Sequence, residues 1–238
     1  LSTILYIIMN FYFSNMNIMR QAIALAILLF AFEFLKEKKY FKYIIMVFIA
    51  TLFHTVSFAA LLLLLFSVLP NKRIIYYLEI VMAIITFVFY KQFFYILTLG
   101  FGYSGYATSE FGVSNYFGAL ISALQILFIM AFLYIVSHGK KPANGDNKFR
   151  LLSISVILYI WFSFLIIRMN IFNRISGLFG IYSIVAIPII LEKIKNDNIS
   201  NYRICKIIFL SIYFTSFCII SFFRPEWYGV IPYNFFWQ

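Results

Sequence analysis

The chain has 238 residues, of which 64% are hydrophobic and 11% are charged, and its formal net charge is +11. A soluble domain of this length covers its core with charge, so this composition excludes a water-soluble globular protein. Apolar segments near the roughly 20 residues needed to cross hydrocarbon follow one another along the chain. The sequence therefore predicts an all-α, polytopic integral membrane protein, with residues 1–238 as one multi-pass domain whose partner is the lipid bilayer and not a nucleic acid.

Hydropathy and its breaks predict helices over 1–13, 19–35, 74–99, 117–137, 151–167, 175–191 and 204–223. The segment 43–69 is long for one crossing, and positive charges flank it on both sides. Because basic residues favour the cytoplasm, both flanks are expected there. We predict about 7 to 9 membrane segments, with 43–69 as a re-entrant or broken helix and a straight crossing as the alternative.

The hairpin reading of 43–69 separates the basic residues by type. The residues then expected in the cytoplasm are mostly lysines, namely Lys36, Lys38, Lys39, Lys42, Lys72, Arg73, Lys140, Lys141, Lys148, Arg150, Lys193, Lys195, Arg203 and Lys206. Those expected outside are mostly arginines, namely Arg20, Lys91, Arg168, Arg174 and Arg224. The positive-inside rule treats lysine and arginine alike, so it does not explain why the residues expected outside are mostly arginines.

Arginine differs from lysine in the geometry of its donors. Its planar fork binds phosphate or carboxylate in a bidentate manner and stays protonated when partly desolvated. We interpret Arg20, Arg168 and Arg174 as an anion site, with Gln21 donating to the anion or orienting the Arg20 guanidinium. The alternative for each of these arginines is anchoring at lipid headgroups. For Arg224 the anion-site reading and the lipid-anchor reading have equal weight.

One of the two histidines lies in apolar sequence. His54, in "IATLFHTVSF", is expected at membrane depth, where an ionisable side chain indicates a functional site. If the helix continues from 51 to 57, Thr51, His54 and Ser57 share one face. His54 could then act as a general base, or it could be a structural residue bonded to a neighbouring carbonyl. His138 lies at a helix end and is assigned no role.

Several kinds of chemistry lack their motifs in this sequence. There is no paired-carboxylate motif, no nucleotide-binding glycine loop and no nucleophile elbow. Cys205 and Cys218 have no metal-ligand spacing, so no metal and no cofactor are predicted. The loop "GFGYSGYATSEFGVSNYFG" carries Tyr106, which could bind a sugar ring or simply occupy the membrane interface.

The segment "RQAIALAILLFAFEFLKEKKYFKYIIMVFIATLFHTVSF" resembles the signature of the EpsG family, among the Wzy-type exopolysaccharide, capsule and O-antigen polymerases. The resemblance lies in Arg20-Gln21 opening a helix, Ala24, a basic turn, and then Ala50 with Phe53-His54. The ending "WYGVIPYNFFWQ" is also similar to the end of such proteins. Family members carry helices before the Arg-Gln pair, so the resemblance implies that this chain is the C-terminal portion of a longer one.

The resemblance implies a function at the outer face of the bacterial cytoplasmic membrane. Such polymerases transfer a growing glycan from undecaprenyl pyrophosphate onto a lipid-linked repeat unit, beside a flippase and a chain-length regulator. We therefore predict a metal-independent glycosyltransferase, in which His54 is the base and the arginines bind the lipid pyrophosphate.

Two other functions remain open. A flippase or exporter of lipid-linked oligosaccharide would also use many helices and basic residues, although no internal repeat is visible. A membrane O-acyltransferase acting on the polysaccharide could use a buried histidine, but the sequence shows no motif for an acyl donor.

Overall fold

The computed structural model describes residues 1–69, 74–101, 116–118, 120, 147–197 and 199–224. All regular structure within these ranges is helical, as predicted. A 3₁₀ segment, Thr55–Ala60, follows the fourth helix. The α-helices are α1 (Ser2–Ile8), α2 (Phe11–Asn17), α3 (Met19–Lys36), α4 (Tyr40–Phe53), α5 (Leu61–Val68), α6 (Ile74–Val88), α7 (Tyr90–Phe101), α8 (Asn147–Leu165), α9 (Phe172–Gly180), α10 (Ser183–Asp197) and α11 (Ile199–Phe223).

Helices α3 and α4 form an antiparallel pair. Their buried residues follow helical spacing, with Ala24, Leu28, Ala31 and Leu35 on α3 and Tyr43, Val47 and Ala50 on α4. The alanines let the two backbones approach closely. The connecting turn is tight because Lys38 adopts a left-handed conformation and the Lys39 N–H donates to the Phe34 carbonyl at 2.8 Å. The start of α3 therefore lies beside the end of α4.

The predicted break within 43–69 is confirmed. Helix α4 ends at Phe53 because His54 is extended, with φ −149° and ψ 109°, and the 3₁₀ segment and α5 follow in turn. The hydroxyl of Tyr43 donates to the Ala60 carbonyl at 2.8 Å, which satisfies a backbone group where the regular helix is interrupted. The break thus displays His54 at a bend between helices.

Both flanks of this broken segment meet the start of α8. The amide of Asn147 donates to the Lys36 carbonyl at 2.7 Å, while Arg150, one turn later, donates to the carbonyls of Phe66 and Leu69. The ammonium of Lys193 near the end of α10 lies 3.9 Å from the ring centroid of Phe149. These contacts gather the turn after α3, the end of α5, the start of α8 and the end of α10 into one region, called here the basic end.

The other ends of these helices lie at the opposite side of the bundle. This region is called here the arginine end. It consists of the start of α3, the end of α4, the turn from α8 into the first turn of α9, and the end of α11. It carries Arg20, His54, Arg168, Arg174 and Arg224. Close packing of α8 on α9 fixes their hairpin, because a Cβ on Gly180 would meet the Tyr159 ring at 3.0 Å. The Ser163 and Ser176 hydroxyls add a hydrogen bond of 2.7 Å.

The structure supports a helical membrane protein, but not the predicted number of spans. Among the described residues, three stretches are long and apolar enough to cross a membrane, namely Asn147–Leu165, Phe172–Asn196 and Ile199–Phe223. The bent pair α6 and α7 would make a fourth. Helix α3 has 18 residues but carries Arg20, Glu33 and Lys36. The predicted helix 117–137 lies outside the described residues except for 117, 118 and 120.

Two predicted continuous helices are wrong. Residues 1–13 form α1 and the first part of α2, because Asn10 between them adopts a left-handed conformation with φ 65°. Residues 74–99 are bent by 95° between Val88 and Tyr90. Here the hydroxyl of Thr86 accepts a hydrogen bond of 2.6 Å from Trp161 on α8, which ties the region before the bend to the bundle. The first break is local, because asparagine adopts the left-handed conformation more readily than most residues.

Candidate functional site

Gln21 faces α9 at Gly177. Its side chain is 7% exposed, and its Nε2 lies 3.6 Å from the position that a Cβ on Gly177 would take. The absence of a side chain at Gly177 leaves room for the amide between α3 and α9. Arg174 lies three residues before Gly177, so the two positions share one face of α9.

His54 joins this group from the opposite side. The 3₁₀ segment that follows it packs against both α3 and α9. The imidazole lies close enough to the Arg174 guanidinium for an electrostatic interaction between the two side chains. The fold therefore brings three of the predicted site residues, from α3, from the break after α4 and from α9, close to one another: Gln21, His54 and Arg174.

Two polar atoms of this cluster lack a hydrogen-bond partner. The His54 Nε2 and the Gln21 Oε1 are buried, and neither bonds to any of the described residues. Leaving such a group unsatisfied costs about 1 to 3 kcal/mol, so buried atoms of this kind are rare and call for an explanation. A polar ligand that donates to both atoms would remove that cost.

The lengths of α3 and α4 place His54 along the bundle. Helix α4 begins at Tyr40 and has 14 residues before His54, which corresponds to about 21 Å of helix. The antiparallel helix α3 covers about 22 Å between Lys36 and Gln21. His54 therefore lies at the level of Gln21, at the arginine end of the bundle.

The predicted polar face of Thr51, His54 and Ser57 does not form. The helix ends before His54, and the hydroxyl of Thr51 donates to its own helix at the Phe48 carbonyl, 2.6 Å away. Ser57 is buried in the 3₁₀ segment. The charged neighbour of His54 is instead Arg174 on α9.

The other predicted anion-binding residues, Arg20 and Arg168, are both exposed. Arg20 is exposed in the first turn of α3, next to Gln21. Arg168 is exposed in the turn before α9, and its guanidinium carbon lies 4.5 Å from the Phe87 ring centroid and 5.4 Å from that of Tyr90. Both rings lie within cation–π distance of the guanidinium.

Arg224 and Tyr106 are the two remaining residues for which the sequence offered a binding role. Arg224 ends α11, with its guanidinium carbon 5.8 Å from the ring centroid of Phe117. Tyr106 lies outside the described residues. Across the part of the chain that the structure describes, no three His, Cys, Asp or Glu side chains come together as a metal ion would require.

Comparison with known protein families shows the family to which the chain belongs. A family model described as the EpsG family matches residues 1–235. The chain belongs to the EpsG family. No curated protein and no solved structure matches it. The resemblance found in the sequence is confirmed, and the family indicates a membrane protein of polysaccharide biosynthesis.

The residues that carried the resemblance to the EpsG family have clear places in this structure. Ala24 and Ala50 are buried where α3 packs on α4, at 1% and 0% exposure. The packing of these two helices holds the Arg20-Gln21 pair and the Phe53-His54 pair at the same end of the bundle. Small residues within two helices thus align two polar positions that are far apart in sequence.

Sequence reasoning missed two parts of this EpsG-family site. Gly177 gave a weak signal, since small residues in a membrane helix often mark a close approach to a neighbouring helix. Phe87 and Tyr90 gave none, because their contact with Arg168 depends on the unexpected bend between α6 and α7.

Proposed function

We propose that this protein is a polysaccharide polymerase. It transfers a growing glycan from undecaprenyl pyrophosphate onto a lipid-linked repeat unit at the outer face of the bacterial cytoplasmic membrane. The observation that carries the proposal is the convergence of His54, Arg174 and Gln21 at the arginine end of an EpsG-family protein. A base, a cation and a buried amide at one place match the needs of glycosyl transfer.

The reaction requires a proton acceptor at the attacking sugar. A hydroxyl oxygen of the acceptor glycan bonds to the anomeric carbon of the donor as the bond from that carbon to the pyrophosphate oxygen breaks. The hydroxyl proton passes to the His54 Nε2, the buried atom without a described partner, and the bonding electrons leave with the pyrophosphate. The Gln21 Oε1 accepts a hydrogen bond from a second sugar hydroxyl and orients the acceptor.

The leaving pyrophosphate gains negative charge in the transition state. Arg174 stabilises this charge from within the cluster, since a fixed donor in a partly buried site acts without reorganisation. Arg20 and Arg168 extend the anion site toward the surface. In this proposal the arginines take the place that a metal ion holds in metal-dependent transferases.

The distribution of charge supports the orientation of the protein. The basic end gathers the lysine-rich turn after α3 and the ends of α5 and α10, which favours a cytoplasmic location for that end. The arginine end then faces outward, where lipid-linked repeat units are delivered. A flippase that supplies these units and a regulator of chain length are the proposed partners.

Surface glycan from a deletion strain tests the function. We expect the deletion to leave single repeat units exposed on the outer face, and the wild-type gene to restore long polymer. The variant His54→Ala, produced at the same level, should not restore it. Long polymer in the deletion strain would refute a polymerase, and repeat units trapped inside would show a flippase instead.

A further inference from the structure

An apolar cavity of about 850 Å³ lies between α4, the 3₁₀ segment, α5, α7, α8 and α9. Every residue that lines it is apolar. Its inner wall is fully packed, with Phe162 and Phe172 each 1% exposed, whereas its rim includes Leu65 at 59% and Ile96 at 66%. The cavity is therefore closed on the protein side and open at an apolar edge.

The cavity borders the two elements that carry the candidate site. Phe172 and Ile175, which line it, lie on either side of Arg174 in α9, and Val56 in the 3₁₀ segment follows His54 by two residues. The same two elements thus present polar groups to the site and apolar groups to the cavity. Along α5 the lining extends from Leu61 to Leu69, about 12 Å toward the basic end.

We propose that this cavity holds the first isoprene units of the polyprenyl chain of the donor. The inference rests on the proposed function, which places the donor pyrophosphate at Arg174, because the carbon chain bonded to that pyrophosphate must leave from the same point. A volume of about 850 Å³ is typical of a pocket for one ligand, and the aromatic side chains Phe58, Phe93 and Phe94 match the flat, methyl-branched units of an isoprenoid.

The binding force here is packing and not removal from water. A lipid tail that leaves the bilayer for an apolar cavity exchanges one apolar environment for another, so selectivity depends on shape and van der Waals contact. The cavity fixes the direction in which the chain leaves, which positions the pyrophosphate and the anomeric carbon beside Arg174 and His54. It should therefore distinguish tails that carry the same headgroup.

Two probes with the same pyrophosphate headgroup test this inference. Undecaprenyl pyrophosphate and hexadecyl pyrophosphate compete for the purified full-length chain in nanodiscs, and native mass spectrometry measures the bound lipid. We expect the wild type to prefer the isoprenoid by about tenfold or more. The cavity-filling variants Ala59→Phe and Leu62→Trp should lose the preference, whereas Ile207→Phe, at a 64% exposed position on α11, should keep it.

The outcomes separate this inference from the proposed function. Equal binding of the two lipids by the wild type, or binding of neither, overturns the inference, as does an unchanged preference in both filled variants. If a filled variant unfolds, the other variant and the wild-type comparison decide. The proposed function is judged independently, since long polymer made by His54→Ala would refute the role of the site whatever the tail preference.

Discussion

The two ends of the bundle treat their polar groups differently. At the basic end, Asn147 and Arg150 donate to backbone carbonyls at the ends of α3 and α5, and Lys193 lies over the Phe149 ring. At the arginine end, the His54 Nε2 and the Gln21 Oε1 are buried without a described partner. The named polar side chains of the basic end hold helices together, whereas those of the arginine end are open to the ligand that we propose.

This difference has a cost in free energy. Each buried atom without a partner lowers the stability of the folded chain by about 1 to 3 kcal/mol. Such a cost is tolerated where the atom meets a ligand, because binding then supplies the missing hydrogen bond. Substitutions at the arginine end should therefore reduce activity more than stability, and those at the basic end should do the reverse.

The largest expected effect is on His54. Removing a general base lowers a rate by about 100-fold or more, so His54→Ala should abolish long polymer while the protein still folds. Polymer length on gels of surface glycan measures the effect, with protein amount checked by immunoblot. His138→Ala, at the other histidine, is the matched control and should leave polymer length unchanged.

Arg174 comes next. Arg174→Lys keeps the charge but loses the bidentate fork, and the initial rate of glycan transfer should fall by about 100-fold. The matched control is Arg203→Lys in the first turns of α11, where the side chain is exposed. A wild-type transfer rate in Arg174→Lys would mean that a point charge is sufficient and that the site does not bind the phosphate in a bidentate manner.

Gln21 separates activity from stability. Gln21→Leu removes a buried amide with an unsatisfied oxygen, so thermal stability should rise, by about 1 kcal/mol, while the transfer rate falls by about tenfold. Rate and thermal unfolding are measured on the same preparation. Gln92→Leu, at an exposed position on α7, should change neither. A loss of stability in Gln21→Leu would show that the amide is structural.

Arg150 tests the basic end. Arg150→Ala removes the donor to the Phe66 and Leu69 carbonyls and should lower stability by about 2 kcal/mol. The transfer rate of the molecules that remain folded should not change. Lys148→Ala, in the same turn of α8, is the comparison. A reduced rate per folded molecule would place part of the site at this end.

The smallest expected effect is on Glu37, in the exposed turn after α3. A hydrogen bond and the charge of Lys39, 2.6 Å away, hold the pKa of the Glu37 carboxyl below its usual value. The stabilisation is therefore present above the ordinary carboxyl pKa and is lost as pH falls through the lowered value. Because the pair is exposed, Glu37→Gln should leave the unfolding temperature at neutral pH nearly unchanged. A clear shift would contradict this view of the turn.

The sequence was sufficient to predict part of this structure. Positive charge on both sides of 43–69 predicted the interruption that places His54 at a bend, and hydropathy predicted α3, α8 and α11 close to their observed limits. These features depend on local composition. The presence of Arg20, Gln21 and His54 in one signature could also be read from the sequence alone.

Other features depend on contacts between distant segments. The bend of 95° after Val88 has no proline or glycine beside it, so no local signal marks it. The approach of Gln21 to Gly177 requires the packing of α3 on α9, and the apolar cavity requires six elements at once. Spacing along the chain specifies neither.

The most direct test of the central claim is a double-mutant comparison. Purified protein in liposomes receives a lipid-pyrophosphate-linked repeat unit, and the rate of glycan transfer is measured for His54→Ala, Arg174→Lys and the double variant. If the two residues form one site, the double variant should be no slower than the slower single variant, because groups that act as a unit are not additive. Losses that multiply in the double variant would contradict the account, since the two residues would then act independently.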